Sequence, residues 1–489
     1  MPGVVFVTAF LDLGEDRSRD KSVETCFHHF NALADTGAKI HLYLSNSYQA
    51  AYTSICKHRP NVLVDYLELS QLETYREIQD LNPHLPEYRT SHHDTRAFLT
   101  LMNAKAELLA RAMGFEPGFC SSSHNYGWTA RHFAWIDFSI FHVFKRPQET
   151  AAYLNMLSHT RLGESCMLVP GCWAHPGVNR DTLFMKVNWR FCGGFFLAST
   201  DKIIQLNKLY RTNWRRMVEQ RGLTWEVNTL ALFEDEYGWT PTWFQADHND
   251  SIVRIPPQHI PVVASLTTIP SRINYCKAAI DSLLWQVDHV YVSVCKKYKR
   301  FEASWESPEF FDQEPYKSKV TIVISEDYGP ATKYLGAATV ISPHTWTFIC
   351  DDDQIYHPDL LLKMRAALQN YGVYQNHLGS IKEKTSGGLI HGYVGLLINS
   401  TELNGLKRFP LPEVARFVDD QWVSIFCFKQ GIQIRDTGVE EYKNIFAVLD
   451  GWHERIGPDS LAGLNNRAEM VQAIAEYFGV TISGPLIRA

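Results

Sequence analysis

Two apolar runs constrain the fold more than anything else in this chain. VVFVTAFLD (4–12) and VVASLTTIP (262–270) each read as a buried strand ending in small and polar residues, and each leads into a stretch with helical spacing. In the second case that stretch is NYCKAAIDSLLWQ, where Cys276, Ile280, Leu283 and Leu284 recur at helical intervals. A further strand follows in each half, KIHLYLS (39–45) and HVYVSVC (289–295). Strands alternating with helical patterns predict parallel α/β sheets, and the shared opening predicts two α/β domains in tandem. The prolines of SIVRIPPQHIPVV interrupt the periodicity, which places the joint near residues 254–260 and the domains at 1–256 and 257–489.

Composition removes several function classes. Apolar residues make up 45% of the chain and charged residues 20%, which suits a folded protein and not a disordered one. The 47 basic and 53 acidic residues give a net charge of −6, and no basic block occurs. Nucleic acid and anionic membrane are therefore poor partners. No stretch approaches the roughly 18 apolar residues of a membrane span, and MPGVVFVTAFLDLGEDRSRD lacks the basic start of a signal peptide. The expectation is a soluble, cytoplasmic chain with no transmembrane segment. The ten cysteines show no C-x-x-C pair and no zinc-ligand rhythm, and several lie in apolar strand runs, so they read as reduced, buried thiols.

The chemistry concentrates in the second half. After the strand VTIVIS (320–325) and the turn EDYGPATKY, the apolar run TWTFIC (345–350) leads directly into DDDQIYHPDLLLKMRAAL, where Pro358 is expected to open an amphipathic helix. Asp351, Asp352 and Asp353 place three negative charges at the end of a buried strand, which is unfavourable unless a cation or several hydrogen bonds offset the repulsion. Mn²⁺ or Mg²⁺ would do so, since these ions take one or two carboxylates together with phosphate oxygens. Ligands of open α/β sheets also bind just beyond the carboxyl ends of strands. A solvated acidic turn is the plainer alternative. A haloacid-dehalogenase-type phosphatase would need Thr or Ser after an Asp-x-Asp, and Gln354-Ile355 stand there.

On these residues the segment 261–475 resembles an inverting GT-A glycosyltransferase, whose signature is a D-x-D at a strand end. The resemblance implies that Asp351 and Asp353 hold the metal, with His453 of LDGWHERIG as a third ligand and Asp352 facing the ribose. It implies that Thr268, Pro270 and Arg272 in TTIPSR, with Asp327 and Lys333 in EDYGPATK, grip a nucleoside-diphosphate sugar, Lys333 as a point charge for the diphosphate. The acidic pair of RFVDDQWVSIFCFKQG, Asp419 and Asp420, would supply the general base, with Asp420 the first choice; helix capping would also account for either residue. GGLIHGYVGLLINS (387–400), around His391 and Tyr393, would form the acceptor side.

The first half is less explicit. HFAWIDFSIFHVF (132–144) has one acidic residue, Asp137, in an apolar run, NWRFCGGFFLAS (188–199) carries Gly-Gly inside a strand pattern, and TWEVNTLALFE (224–234) follows. With VTAFLDLGEDRS near the start, residues 3–245 resemble the bacterial HtrL/YibB-like family of glycosyltransferase-like proteins, which implies Asp137 at a donor site and Glu226 on the acceptor side. A carboxylate in AWIDFSI needs a counter-charge, either a metal–diphosphate group or a buried arginine such as Arg131 or Arg190.

Together these resemblances imply two tandem GT-A-like (Rossmann-like) domains with mainly parallel mixed sheets. The implied activity is metal-dependent transfer of a sugar to a glycan or glycoconjugate hydroxyl. Either each domain carries one transferase, or a C-terminal transferase stands beside a glycan-binding N-terminal domain. A non-enzymatic glycan-binding scaffold is the competing class. A nucleotidyltransferase would need a Gly-rich, basic loop after its first strand, and TTIPSRINY is not one.

Overall fold

The computed structural model describes residues 3–14, 21–56, 58–114, 130–174, 180–300, 302–369, 372–375, 388–439, 446–448, 466–483 and 486–488. The chain divides into two compact units, Met1–His259 and Ile260–Ala489.

The first unit is built on a seven-stranded sheet of β1 (Val4–Phe10), β2 (Ile40–Leu44), β3 (Val62–Tyr66), β4 (His132–Ile136), β5 (Met167–Gly171), β6 (Phe195–Ser199) and β7 (Thr242–Gln245). Their spatial order is β3-β2-β1-β4-β6-β5-β7. All neighbours are parallel except β6, which runs antiparallel to β4 and β5. Every residue of β2, β4, β5 and β6 is buried, as expected for a sheet covered by helices on both faces. On one face Val5, Val7, Phe133 and Trp135 join Leu108 and Trp214 of two covering helices in one apolar cluster.

The second unit has β8 (Val262–Thr267), β9 (His289–Cys295), β10 (Val320–Ser325), β11 (Trp346–Ile349), β12 (Gln354–Tyr356), β13 (Val373–Gln375), β14 (Leu396–Asn399) and β15 (Ile434–Asp436). Its large sheet runs β10-β9-β8-β11-β14-β13-β15, with β14 alone antiparallel to its neighbours, while β12 pairs separately with Phe446–Val448. With β12 set aside, the order and directions repeat those of the first sheet. The registers give a residue correspondence: Val4 pairs with His132 as Val262 pairs with Trp346. Five residues beyond each partner stand Asp137 and Asp351. Residue identity between the halves is too low for this repeat to be read without the pairing.

Two local expectations change, and a third element is more buried than a surface helix. Gly193-Gly194 form a turn that precedes β6 instead of lying within a strand. Pro358 sits in a turn ahead of the helix Leu360–Ala366, because the short strand β12 delays the helix start. The helix Asp419–Gln430 is not amphipathic: Trp422 through Cys427 are all buried, since it packs inside the second core.

Each unit having its own sheet and core, cutting the chain between His259 and Ile260 is expected to give two fragments that each unfold cooperatively in urea. Gel filtration and circular dichroism check this; aggregation of both fragments would mean that the halves depend on one core.

Candidate functional site

In the second unit the strand order brings the carboxyl ends of β8 and β11 together with the turn before β14. Asp351 follows β11, and its Oδ1 lies 2.7 Å from Lys333 Nζ, on the helix Thr332–Leu335. The same ammonium is 3.1 Å from Asp419 Oδ2, at the first residue of the helix Asp419–Gln430. Lys333 is only 4% exposed and Asp419 only 9%. Burial alone would pull the lysine's pKa down, but Asp351 and Asp419 outweigh it and hold the ammonium well above its ordinary value. The other two aspartates of the triplet are met by Arg272, which pairs with Asp353 and lies 3.1 Å from Asp352 Oδ1. The chain therefore supplies two of its own cations to the acidic strand end. Burial pushes the Asp352 carboxyl up to about 7 in spite of Arg272.

Asp420, next to Asp419, has its Oδ1 buried against the backbone N–H of Gly392 and meets no side-chain donor among the described residues. Burial, then the charge of Asp419, push its carboxyl up to about 7, against the pull of Lys333. The N-cap position of this helix is Val418, which makes no side-chain cap bond, and Asp419 and Asp420 both lie in its first turn, where a carboxylate complements the helix dipole. The space for it is made by Gly392: a Cβ there would lie 2.5 Å from Asp420 Oδ1 and 3.1 Å from Lys333 Nζ. His391 and Tyr393 flank that glycine, and burial lowers the pKa of His391.

The first unit repeats part of this arrangement. Lys105, at the start of the helix Lys105–Ala112, lies 2.6 Å from Glu226 Oε1 and 3.3 Å from Asp137 Oδ1. Glu226 opens the helix before β7, as Asp419 opens the helix before β15. Lys105 Nζ also donates to the Gly193 carbonyl at 2.8 Å, and a Cβ on Gly193 would lie 2.0 Å from Glu226 Oε1. Burial opposes the charge of Lys105, and Asp137 and Glu226 overcome it. Both units thus centre on a buried lysine between a strand-end aspartate and a helix-opening carboxylate, beside a glycine turn. The correspondence ends there. Phe138 and Ser139 stand where Asp352 and Asp353 would be, and Val227 where Asp420 would be.

The remaining expected site residues have the following surroundings. The counter-charge of Asp137 is Lys105, not an arginine: Arg190 pairs with Glu234 through two nitrogens. Asp137 is also 40% exposed and accepts from Trp135 Nε1 at 2.7 Å, so it sits at the rim and not within the apolar run. Asp327 uses both carboxylate oxygens to accept the backbone N–H groups of Lys299 and Gly329, which shapes the turn. Thr268 is buried beside Asp352, and Pro270 opens the short 3₁₀ turn that carries Arg272. His453 lies outside the described residues. Lys105 escaped the sequence reading because KAELLARA has the look of an exposed helix.

No family model matches the chain, and no curated protein matches it. Among solved structures it is similar to 4-diphosphocytidyl-2C-methyl-D-erythritol synthase of Anaerococcus prevotii, at 8% identity over 51% of this chain and 91% of that chain, with a TM-score of 0.25. It is also similar to the manganese complex of Rv0371c from Mycobacterium tuberculosis, at 10% identity over 50% of this chain and 88% of that chain, with a TM-score of 0.23. At such TM-scores neither likeness carries an argument about this chain. No helix among the described residues is long and apolar enough to cross a membrane.

Replacing Lys333 by Met would leave Asp419 buried without its cation, and Lys105→Met would do the same to Glu226. Each is expected to cost about 3–5 kcal/mol of unfolding free energy in the affected unit. The exposed pair Arg146–Glu149 is the control, with Arg146→Ala costing less than about 1 kcal/mol. Urea titration of the full chain measures all three; equal small losses would show that the buried lysines do not organise their sites.

Proposed function

We propose that the C-terminal unit is a metal-dependent, inverting glycosyltransferase that moves a sugar from a nucleoside diphosphate to a glycan hydroxyl. The observation that carries this reading is Asp420: a buried carboxylate raised towards neutrality, facing only the Gly392 backbone beside an acidic strand end and a glycine turn. A carboxyl raised to about 7 is still ionised in good part at neutral pH and accepts a proton more readily than an ordinary aspartate. In the proposed reaction Asp420 takes the proton of the acceptor hydroxyl as its oxygen attacks the sugar's anomeric carbon, opposite the departing diphosphate. Thr268, Pro270, Arg272 and Asp352 form the nucleotide side, and Lys333 and Arg272 supply positive charge to the developing diphosphate. Asp327 belongs to the same side as the residue that shapes the loop carrying Lys333.

The donor chemistry fits a hard cation. Asp351 and Asp353 offer only carboxylate oxygens at the strand end, and Asp351 is 32% exposed, open to a ligand. These two residues would hold Mn²⁺ or Mg²⁺ together with phosphate oxygens. When bound, the ion would neutralise the leaving nucleoside diphosphate as a Lewis acid.

For the N-terminal unit, the absence of counterparts to Asp352, Asp353 and Asp420 favours a non-catalytic role, with the glycan acceptor as its ligand. Asp137 and Glu226 then serve as the carboxylates that hold Lys105, and Asp137→Asn should leave transfer per folded molecule unchanged. Loss of transfer at full stability would instead assign this unit a transferase of its own.

Asp420→Asn is expected to keep nucleotide binding and lose on the order of 10²–10⁴-fold in transfer rate. In the parent protein the rate should climb as pH rises through about 7, because only the ionised Asp420 accepts a proton; the Asn variant should lack that limb. A pH profile unchanged by the substitution would eliminate Asp420 as the base. Asp353→Ala should abolish Mn²⁺-dependent binding of a nucleoside diphosphate, read by calorimetry, while circular dichroism stays native. Undiminished turnover of the parent protein in chelator would reject the metal-dependent mechanism.

A further inference from the structure

The first unit holds a cluster that the transfer chemistry does not use. Cys172, directly after β5, Cys192, three residues ahead of the start of β6, and His248, beyond β7, come together at one end of the sheet. A ligand atom from each lies within 4.8 Å of the other two. They are 20 and 56 residues apart in sequence, so no spacing motif announces them. The sheet order makes the meeting possible, because β6, β5 and β7 are consecutive neighbours.

Backbone hydrogen bonds fix the two cysteines face to face. Cys172 N donates to Trp189 O at 3.0 Å and Cys192 N to Pro170 O at 2.7 Å. The sulfurs are 3.6 Å apart. A disulfide would need about 2.05 Å, whereas two thiolates bound to one tetrahedral zinc at about 2.3 Å each stand about 3.8 Å apart. Gly171 tightens the same corner: a Cβ there would lie 1.9 Å from the Arg190 carbonyl. The His248 ring packs edge-on against Trp189, with centroids 4.3 Å apart. Asp247 adds a carboxylate, its Oδ1 lying 3.8 Å from Cys172 Sγ and 3.5 Å from His248 Nδ1.

We propose that Cys172, Cys192 and His248 bind a zinc ion, with Asp247 or water in the fourth position. Two sulfurs and an imidazole select a soft or borderline ion over Mg²⁺ or Mn²⁺, which prefer oxygen. The ion ties the four-residue edge strand β7 to β5 and to the turn before β6. That turn also carries the Gly193 carbonyl that accepts from Lys105, so the zinc steadies the backbone on which the N-terminal lysine cluster rests.

The test uses the full chain, reduced and stripped with chelator. Titration with Co²⁺ should give one tightly bound equivalent and a thiolate-to-cobalt charge-transfer band, which one equivalent of Zn²⁺ removes and excess Mn²⁺ does not. Zn²⁺ should also raise the melting temperature and slow hydrogen exchange in β7. Cys172→Ser should abolish the band. His248→Ala, which alters an exposed ring and leaves the core intact, should weaken affinity by more than the roughly 10–100-fold lost with an outer orienting partner. Three results would overturn the site: no retained equivalent of metal, a full cobalt band surviving in the Cys172→Ser/His248→Ala double variant, or, in the protein before any reductant is added, a mass two hydrogen atoms short with both thiols unreactive until reduction, which would identify a disulfide.

Discussion

One lysine, buried between a carboxylate at a strand end and one at a helix start, organises each unit. Lys333 joins the end of β11 to the start of the last large helix before β15, and Lys105 does the same for β4 and the helix before β7. A single ammonium removed from water is costly. Two anions around it reverse the balance, and the result is a cross-link that fixes a strand end, a helix start and a glycine turn in one geometry. The residues proposed for chemistry in the second unit are arranged around that cross-link.

The comparison between the units separates scaffold from chemistry. Lysine, strand-end aspartate, helix-opening carboxylate and glycine turn occur in both. Asp352, Asp353, Arg272 and Asp420 have no equivalent arrangement among the described residues of the first unit. What both units share is sufficient to hold the loops; what the second unit adds is a carboxyl raised towards neutrality and a row of anions facing an arginine. Proton transfer and diphosphate recognition call for groups of that kind.

The central strands were legible because burial writes them as apolar runs, as HVYVSVC coincides with β9; the edge strand β10, with only Val323 buried, was legible instead from the β-branched residues of VTIVIS. The acidic triplet was legible for a related reason, since charges directly after such a run must meet something. Lys333 and Arg272 were legible as residues of the same site, but not as the direct partners of the aspartates; the pairing of each with Asp351, Asp352 and Asp353 follows from the strand order. Lys105 was missed because a lysine ahead of alanines and leucines looks solvent-facing, and its burial depends on Glu226 more than 100 residues away. The three ligands of the proposed zinc site were missed for the same reason: their proximity follows from strands β5, β6 and β7 being neighbours, which no local pattern records.

The Lys333–Asp351 contact has a consequence for how the second site would empty and refill. An acidic strand end that relied on a dissociable ion would be left with bare repulsion each time that ion departed with a product. If the site binds a metal and a diphosphate as proposed, the chain's own ammonium would stay behind as a resident counter-ion, and the loops need not collapse or swell between turnovers. An incoming cation would compete with it. Binding would then be an exchange instead of a simple addition, weak for the ion by itself and strengthened when diphosphate oxygens share both positive charges. On the proposed reading, the buried lysine is a built-in reason for ion and nucleotide to enter as a pair.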